Sequence, residues 1–423
     1  MFVVNLIQQN EFIEVFFKKM KKKLSGALCA AKSSMAGMPD GKAGKTVAVI
    51  YNEPAPELYV KKALPNFVNL NFIPYFEVDN NTPMEEYEVF AQKIENRGFN
   101  CYTLNVMDDF HLLINKLTEH RPDVIFNFVE LFFNKPKLEM NVTGLFELLE
   151  IPFTGAPPLA LANCQSKVFT KRLLSSYGIT TPNFQLIKTF SDLPDGIVLS
   201  SNFPADGKAG NYKHSIRFPI IVKPAFEDAS VGIDFNAVVY NNSELNAKIN
   251  YIFSEFKQAA LIEEFIEGRE LNVAVMGDEN PVVLPISEID FSAMPDHFPN
   301  IVSYQAKWDQ MHEAYHKTIP ICPAILTKKI QAKAEKIALT AFKAMGVRDY
   351  ARIDMRLSKN NELFVLEVNP NPDLTEGAGF MRSAEAAGFS YDEVLEKIIQ
   401  FALLRGEKNK TFAKSHPIQA RIK

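Results

Sequence analysis

The stretch from Tyr350 to Leu374 carries the side chains with the clearest chemistry. It predicts two strands joined at Asn360-Asn361, because asparagine tolerates the positive φ of a two-residue hairpin loop. With that loop, Asp354 lies directly across from Glu367. Two carboxylates whose Cβ atoms are about 5 Å apart repel each other. A divalent cation between them would explain the pairing.

Strand alternation adds further groups to the same face. Asn369 lies beside Glu367, and Arg352 lies across from Asn369. Two carboxylates and an amide beside an arginine suit magnesium that carries phosphates better than they suit zinc. Alternation also places Arg356 on this face, and it assigns the following side chains to the opposite faces of the two strands: Ile353, Met355, Leu357, Phe364, Leu366 and Val368.

Two lysines lie where an anion could bind. Lys223 ends the apolar run 219–222, where its ammonium needs water or an anion, so a solvent-facing strand end and a phosphate contact are equally open. The small-residue turn EDASVG (227–232) follows it. Lys167 lies in the first turn of a predicted helix that begins at Ser166, where an anion would offset its unfavourable position; an exposed surface lysine is the alternative.

An acidic segment surrounds Phe265 and Gly268. It is either a solvated charge run or a set of carboxylates that grip a ribose, with backbone groups near Phe265 free to meet a purine edge. Lys307 and Trp308 follow the strand-like run IVSYQA and could add a phosphate contact. The acids are Glu263, Glu264, Glu267 and Glu270.

The segment His312-Glu313-Ala314-Tyr315-His316 matches the zinc-protease motif HExxH. That motif needs both histidines on one face of a long helix, whereas this segment meets Pro320 within a few residues. No further ligand pattern follows it. A chance match in a loop is therefore the better interpretation.

Composition sets outer limits on function. The 423 residues, 47% of them hydrophobic and 23% charged, indicate a soluble globular protein of two or three domains. A net charge of -4 gives no basic face for nucleic acid. No apolar stretch is long enough to span a bilayer. Four scattered cysteines (Cys29, Cys101, Cys164 and Cys322) indicate reduced thiols rather than disulfides.

Residues 1–45 differ from the rest of the chain. An apolar run precedes five lysines, which is the reverse of a secretory signal, and a Gly-, Ala-, Ser- and Lys-rich stretch follows. A flexible extension, an amphipathic membrane-surface helix, and a start codon assigned upstream of Met20, Met35 or Met38 are all consistent with this order.

From Thr46 onwards, apolar strands alternate with amphipathic helices, which predicts an open parallel sheet with helices on both faces. The proline-rich segment 151–158 marks a boundary. A second unit contains predicted strands at 218–224 and 234–240, a helix at 243–257 and a polar loop insertion between 192 and 216. A third unit contains two strands near 271–286, a long helix at 327–345, the hairpin and a closing helix at 391–404.

The motifs resemble, as an ordered set, those of the ATP-grasp ligases, in particular the relatives of D-alanine–D-alanine ligase. The set comprises IVKP with EDASVG, then IEEFIEGRE, ARID and LEVNPNP, preceded by PFTGAPPLALANCQSKVFTKRLL at 152–174. The resemblance covers roughly Thr46 to Leu404. It implies an α/β chain with an N-terminal parallel α/β domain (46–158), a central lid subdomain (159–260) and a C-terminal catalytic subdomain (261–406) that sandwich ATP, between the extension 1–45 and a basic tail (407–423).

The resemblance also implies roles for twelve residues. Phosphate contacts fall to Lys167, Lys223 and Lys307. Adenine and ribose contacts fall to Glu263, Glu264, Phe265 and Glu270. Asp354, Glu367 and Asn369 would bind two magnesium ions, or manganese in their place. Arg352 would steady the charge of the transferred phosphoryl group, and Ser230 would contact phosphate from a loop that closes over the site.

The implied activity is that of an ATP-dependent carboxylate–amine ligase that works through an acylphosphate. Its substrates would be a small amino acid or peptide, and its expected setting is a cytoplasmic homodimer with no nucleic-acid partner and no stable membrane insertion. Glu376-Gly377-Ala378 stands where D-alanine ligases place serines, and Tyr51–Pro54 replaces their glycine- and glutamate-containing segment, so D-alanyl-D-alanine is not the expected product. A non-catalytic ATP-binding regulator is the alternative, ahead of a zinc hydrolase.

Overall fold

The computed structural model describes residues 44–59, 82–193, 216–227 and 230–415. The predicted extension, most of the loop insertion and the end of the basic tail lie outside these ranges, as do Asp228 and Ala229. None of the three described cysteines forms a disulfide, as predicted. In the described part of the chain, no helix is long and apolar enough to cross a membrane.

The first apolar runs form a three-stranded parallel sheet. Strand β1 (Thr46–Tyr51) lies in the centre, between β2 (Asn100–Asn105) and β3 (Val124–Asn127). Its residues alternate between two cores, because Val47 and Val49 pack on one side and Ala48 and Ile50 on the other. The predicted parallel sheet with helices on both faces is confirmed. The helices of this region are α1 (Pro83–Glu95), α2 (Phe110–Glu119) and α3 (Glu139–Leu148).

Two helices connect this sheet to the rest of the chain. They are α4 (Pro158–Gln165), which the sequence pattern did not reveal, and α5 (Lys167–Ser176), which begins at the predicted N-cap Ser166. The Ser166 hydroxyl accepts a hydrogen bond from the Phe169 N–H, as N-cap serines do. Both helices pack against the C-terminal sheet rather than against the central one.

The central unit is an antiparallel sheet of four strands in the order β4-β7-β5-β6. The predicted strand at 234–240 is wrong in its first half, because Phe235–Ala237 forms a 3-10 turn that Asp234 caps. The predicted helix at 243–257 ends in a short π-helical turn, Ile252–Phe256. The elements are β4 (Phe184–Ile187), β5 (Ile220–Pro224), β6 (Val238–Val239), α6 (Asn242–Tyr251) and β7 (Ala260–Glu264).

The C-terminal unit is built on a six-stranded antiparallel sheet in the order β11-β10-β8-β12-β13, with β9 also paired to β8. The run predicted as strand-like before Lys307 is wrong, since this lysine lies on a short helix. The elements are β8 (Gly268–Gly277), β9 (Val282–Val283), β10 (Ser287–Asp290), α7 (Tyr304–Trp308), α8 (Glu313–Lys317), β11 (Ile319–Ile321), α9 (Lys328–Met345), β12 (Asp349–Ser358), β13 (Leu363–Asn369), α10 (Gly379–Ala386) and α11 (Tyr391–Ser415).

The hairpin of β12 and β13 keeps the predicted pairs but has a different loop. Asp354 pairs with Glu367, as predicted, whereas Leu357 pairs with Leu363, so the connection is longer than two residues. The register shifts between these pairs and leaves Leu366 as an extra residue, a β-bulge. The prediction that Phe364 and Leu366 share a face with Val368 is therefore wrong. The residues of β13 that are buried in the core are Leu363, Val365 and Val368.

Candidate active site

A cavity of about 430 Å³ opens between the central and the C-terminal sheets. Strands β5 and β7 form one wall, and β8, β12 and β13 form the other. The structure brings together all twelve residues to which the resemblance gave roles, since every one of them lines this cavity: Lys167, Lys223, Ser230, Glu263, Glu264, Phe265, Glu270, Lys307, Arg352, Asp354, Glu367 and Asn369.

Asp354 is the most tightly held carboxylate of the C-terminal wall. Its Oδ1 accepts hydrogen bonds from Asn272 Nδ2 at 2.8 Å and from Arg352 Nε at 2.7 Å. Its Oδ2 accepts from a second nitrogen of Arg352 at 2.8 Å and from Asn369 Nδ2 at 2.9 Å. Asn272 was missed by sequence reasoning, because it lies on β8, 82 residues before Asp354 in the chain.

Glu367 lies in a strongly positive environment. Burial raises the pKa of its carboxyl, but Lys167, Lys223, Arg352 and Lys307 outweigh burial and lower the pKa to about 2. The group is therefore ionised at neutral pH. With Asp354 and the Asn369 amide it offers two carboxylates and a carbonyl oxygen, a hard donor set that fits magnesium.

In the wall of the cavity, the carboxylate of Glu263 lies between two lysine side chains. Glu263, which is 1% exposed, lies 3.0 Å from Lys223 Nζ and 3.3 Å from the Nζ of the fully buried Lys171. Lys171 also donates to the carbonyl oxygen of the bulged residue Leu366 at 3.2 Å. The Glu263 carboxylate thus lies between two ammonium groups, and its contact with adenine or ribose stays a prediction.

Lys171 was also missed by sequence reasoning. The available signal is its spacing, since it lies four residues after Lys167 on α5 and therefore on the same helix face. Burial lowers the pKa of Lys171 to about 8, and repulsion from Lys223 adds to this effect while attraction to Glu263 opposes it.

The remaining lysines of the cavity are held at its edges. The Lys167 ammonium, 8% exposed, donates to the backbone carbonyl of Glu227. Lys307 Nζ lies 5.1 Å from the centre of the Trp308 ring. Burial lowers the pKa of Lys307, and Arg352 lowers it further. These ammonium groups and Lys223 converge on one region that would suit polyphosphate.

Arg356 holds in place the side of the cavity that the resemblance assigns to the nucleoside. The sequence pattern gave this arginine no such role. Arg356 donates to Glu270 at 3.0 Å, and its guanidinium carbon lies 5.1 Å from the centre of the Phe265 ring. The Phe265 N–H donates to the Pro219 carbonyl at 2.8 Å, so a purine edge would have to meet other backbone groups near Phe265. Glu264 accepts from the Arg217 N–H at 3.0 Å.

Ser230 follows the two residues of the turn that lie outside the described ranges. Its backbone has a φ of 63°, the left-handed conformation typical of a tight turn. Its hydroxyl lines the cavity and donates to the Val302 carbonyl at 2.9 Å. The loop is thus attached to the C-terminal unit through this side chain.

The HExxH segment does not form a zinc site. His312 is the N-cap of α8, which has only five residues, and its Nδ1 accepts from the Ala314 N–H at 3.1 Å. His316 is 2% exposed and bonds the Gln310 carbonyl at 2.9 Å. Across the described ranges, no three His, Cys, Asp or Glu side chains are grouped so that they could hold a metal ion. The segment forms a short helix rather than the loop expected from the sequence, and both histidines bond backbone groups.

Comparison with known sequences finds one matching family model. The model described as "D-ala D-ala ligase C-terminus" matches residues 173–400. A protein of Carboxydothermus hydrogenoformans named D-alanine–D-alanine ligase is 32% identical over 263 residues, which are 62% of this chain and 76% of that protein. The uncharacterized protein y4sG of Sinorhizobium fredii is 30% identical over 262 residues, 62% of this chain and 69% of its own.

Solved structures show the same fold. The D-alanine–D-alanine ligase of Bacillus anthracis complexed with ATP superimposes with a TM-score of 0.60 at 22% identity, and the match covers 86% of this chain and all of that one. The D-alanine–D-alanine ligase of Coxiella burnetii gives a TM-score of 0.57 at 18% identity, over 89% of this chain and 99% of that one.

Proposed function

Because the chain belongs to the family of D-alanine–D-alanine ligases, and is therefore an ATP-grasp ligase that forms carbon–nitrogen bonds, we propose that it joins a small carboxylate to an amine through an acylphosphate. The observation that carries the proposal is the cavity between the two antiparallel sheets. It combines converging lysines with the paired acids Asp354 and Glu367 and the amide of Asn369.

Each group of residues has a task in this proposal. Lys167, Lys223 and Lys307 bind the phosphates of ATP and fix the direction of transfer. Arg352 lies beside the metal-site acids, where it stabilises negative charge as it develops. Magnesium bound by the acids, as two ions or with manganese in its place, supplies charge neutralisation on the transferred phosphoryl group.

The nucleoside and the loop complete the arrangement. Glu264, Phe265 and Glu270 bind the adenosine edge, and Arg356 holds Glu270 and Phe265 in place. Ser230 lies at the end of a turn over the cavity, where closure excludes water that would hydrolyse the acylphosphate.

We propose that the product is not D-alanyl-D-alanine. The segment Glu376-Gly377-Ala378 is exposed or half-buried beside the cavity, and Arg382 donates to the Gly377 carbonyl at 2.5 Å. An exposed carboxylate in this segment repels a substrate carboxylate, which the serines of the D-alanine ligases would bind.

The test is ATP turnover with a panel of amino acids and dipeptides in the presence of magnesium. We expect ADP release that depends on both an acid and an amine, with a condensed product found by mass spectrometry. In Asp354→Asn and in Glu367→Gln, kcat should fall about a hundredfold or more, because several kcal/mol of charge stabilisation is lost.

The matched control is Glu362→Gln, which removes one carboxylate from the same hairpin at an exposed position outside the cavity. It should leave turnover unchanged. Full turnover in Asp354→Asn would refute the metal assignment. Tight ATP binding without ADP release for any acid–amine pair would favour a regulator over a ligase.

A further inference from the structure

A second cavity, of about 280 Å³, lies at the carboxyl end of the N-terminal parallel sheet. Its walls come from residues 127–130, which follow β3, from one face of α1, and from residues 371–376, which follow β13. In open α/β sheets, the crevice outside the carboxyl ends of the strands is the usual place for a ligand. None of the twelve site residues described above lines this cavity.

The floor of the cavity is aromatic. Phe90 and Phe128 pack edge to face with ring centres 4.5 Å apart, and Tyr87 lies 5.3 Å from Phe128. Tyr391 forms one side of the cavity, with its ring centre 6.1 Å from that of Phe90. The faces of such rings carry partial negative charge and attract organic cations.

The rim of the cavity is acidic. Four exposed carboxylates line it, and they come from three separate segments of the chain: Glu86, Glu130, Asp373 and Glu376. Lys93 is the one basic side chain among the lining residues, and its ammonium lies 3.8 Å from the Asp392 carboxylate. Burial raises the pKa of the Tyr87 phenol, and the nearby Glu130, Glu53 and Glu86 raise it further, as a negative potential would.

A buried amide also faces this space. Asn127 lines the cavity and is 3% exposed. Its Oδ1 accepts a hydrogen bond from the Val129 N–H at 3.2 Å, which fixes the orientation of the amide. Among the described residues, none accepts a hydrogen bond from its Nδ2. Because this nitrogen faces the cavity, it can donate to an oxygen of a bound molecule.

The second cavity adjoins the phosphate site. Glu139 lines it and also lines a narrow space of about 80 Å³ whose other walls include Lys167, Glu367 and Asn369. Asn371 donates to Glu139 at 3.0 Å and holds the partition in place. A substrate bound over the aromatic floor would therefore lie next to the site of phosphoryl transfer.

We propose that the second cavity binds a cationic substrate, namely an amino acid or short peptide with an ammonium or guanidinium group on an apolar stem. The acidic rim and the ring faces take the cation, and Asn127 Nδ2 donates to a carbonyl or carboxylate oxygen of the same molecule. The proposal rests on the ligase function, since it names the class of one of the two substrates.

The experiment compares substrates that differ only in charge. Arginine is paired with citrulline and lysine with norleucine, each as both enantiomers, and each is measured by calorimetric binding and by ATP-dependent ADP release. In the unmodified protein, the better enantiomer of the cationic partner should bind and react with a dissociation constant and KM about tenfold lower than its neutral partner.

The variant Glu130→Gln/Glu376→Gln should lose this preference, because it removes two rim charges without shortening a side chain. The control Glu362→Gln/Glu385→Gln removes the same charge at exposed positions outside both cavities and should keep the preference. Equal binding of the neutral partners, or a preference that survives in the rim variant, would overturn the proposal.

The experiment distinguishes failure of the ligase function from failure of the cationic substrate class. If neutral substrates drive ADP release as well as cationic ones, the ligase function stands and the cationic substrate class is refuted. If no pair releases ADP, the ligase function fails, while the calorimetric comparison of arginine with citrulline still decides whether the cavity selects cations.

Discussion

Glu263 shows how one residue holds together the charged groups of the proposed phosphate site. One buried carboxylate faces two ammonium groups, so the group of three carries one excess positive charge when all are ionised. Burial raises the pKa of the Glu263 carboxyl, but Lys171 and Lys223 outweigh it and lower the pKa overall. In the proposed function an ATP phosphate would offset this excess charge, so the lysines would serve both the packing of the core and the binding of an anion.

The charge balance of this group predicts unequal effects of two substitutions. Glu263→Gln should lower the free energy of unfolding by about 3 kcal/mol or more, because it leaves two buried ammonium groups without a counter-charge. Lys171→Met should lower it by less, because it leaves the neutral pair of Lys223 and Glu263 intact. Urea denaturation of both variants measures the difference, and a larger loss in Lys171→Met would contradict the charge argument.

At the residue scale, the sequence reveals charged side chains that stand where their neighbours in the strand make a charge unexpected. Asp354 and Glu367 were found because alternation and a short turn place two acids opposite each other, and the observed pairing confirms it. Lys171 was missed and the pairing of Arg356 was not foreseen, because their partners Glu263 and Glu270 lie on other elements. A buried ion pair between distant segments leaves no periodic signal in either one.

At the scale of elements, the hairpin departs from its sequence prediction in an informative way. A longer loop alone would change the pairing of every residue beyond it. The bulge at Leu366 compensates for the loop, so that Asp354 still faces Glu367, and it exposes the carbonyl that Lys171 bonds. Sequence alternation assumes a regular strand pairing. It cannot reveal that a longer loop and a bulge are both present, because their effects on the register cancel.

The first residue of β8 has a conformation and a close contact that only glycine allows. Gly268 has a φ of 145°, and a Cβ there would overlap the backbone carbonyl of Leu357 on β12. We expect Gly268→Ala to lower the free energy of unfolding by about 3 kcal/mol, through backbone strain and the loss of close strand contact. It should also weaken ATP binding, because β8 carries Glu270. Thermal unfolding and nucleotide titration measure the two effects.

Gly98→Ala is the matched control for this substitution. Gly98 also has a positive φ, 91°, but a Cβ there would meet no atom within 4 Å. It should therefore show the conformational penalty alone, about 1 kcal/mol, with unchanged ATP binding. Equal losses in the two variants would show that the contact with β12 is unimportant.

At the scale of the whole molecule, helix α11 joins the N-terminal parallel sheet to the C-terminal unit. Its buried face, including Leu395 and Ile398, packs in the same core as Val47 and Val49 of β1. Arg405, in the second half of the helix, donates to Asp349 at 2.8 Å and to the Phe153 carbonyl at 2.9 Å. The sequence predicted a helix in this region, but a helical period shows only that one face is buried and not which sheet covers it.

This shared core predicts that the N-terminal and C-terminal units unfold together. Leu395→Ala should lower the free energy of unfolding by about 3 kcal/mol, since it leaves a cavity at a fully buried position. Calorimetry should show a single transition shifted to lower temperature. The control Leu148→Ala, at a position that is 83% exposed, should have little effect. Two separate transitions in the Leu395 variant would show that the units are independent.

The same helix has a consequence for the order in which the protein is made. Arg97 and Glu396 are bonded at 2.6 Å but are 299 residues apart in the chain. A ribosome that adds about 5–20 residues per second exposes the parallel sheet well before its covering helix exists. The apolar surface of β3 and α1 that packs against α11 therefore stays uncovered until residues 391–415 have been made.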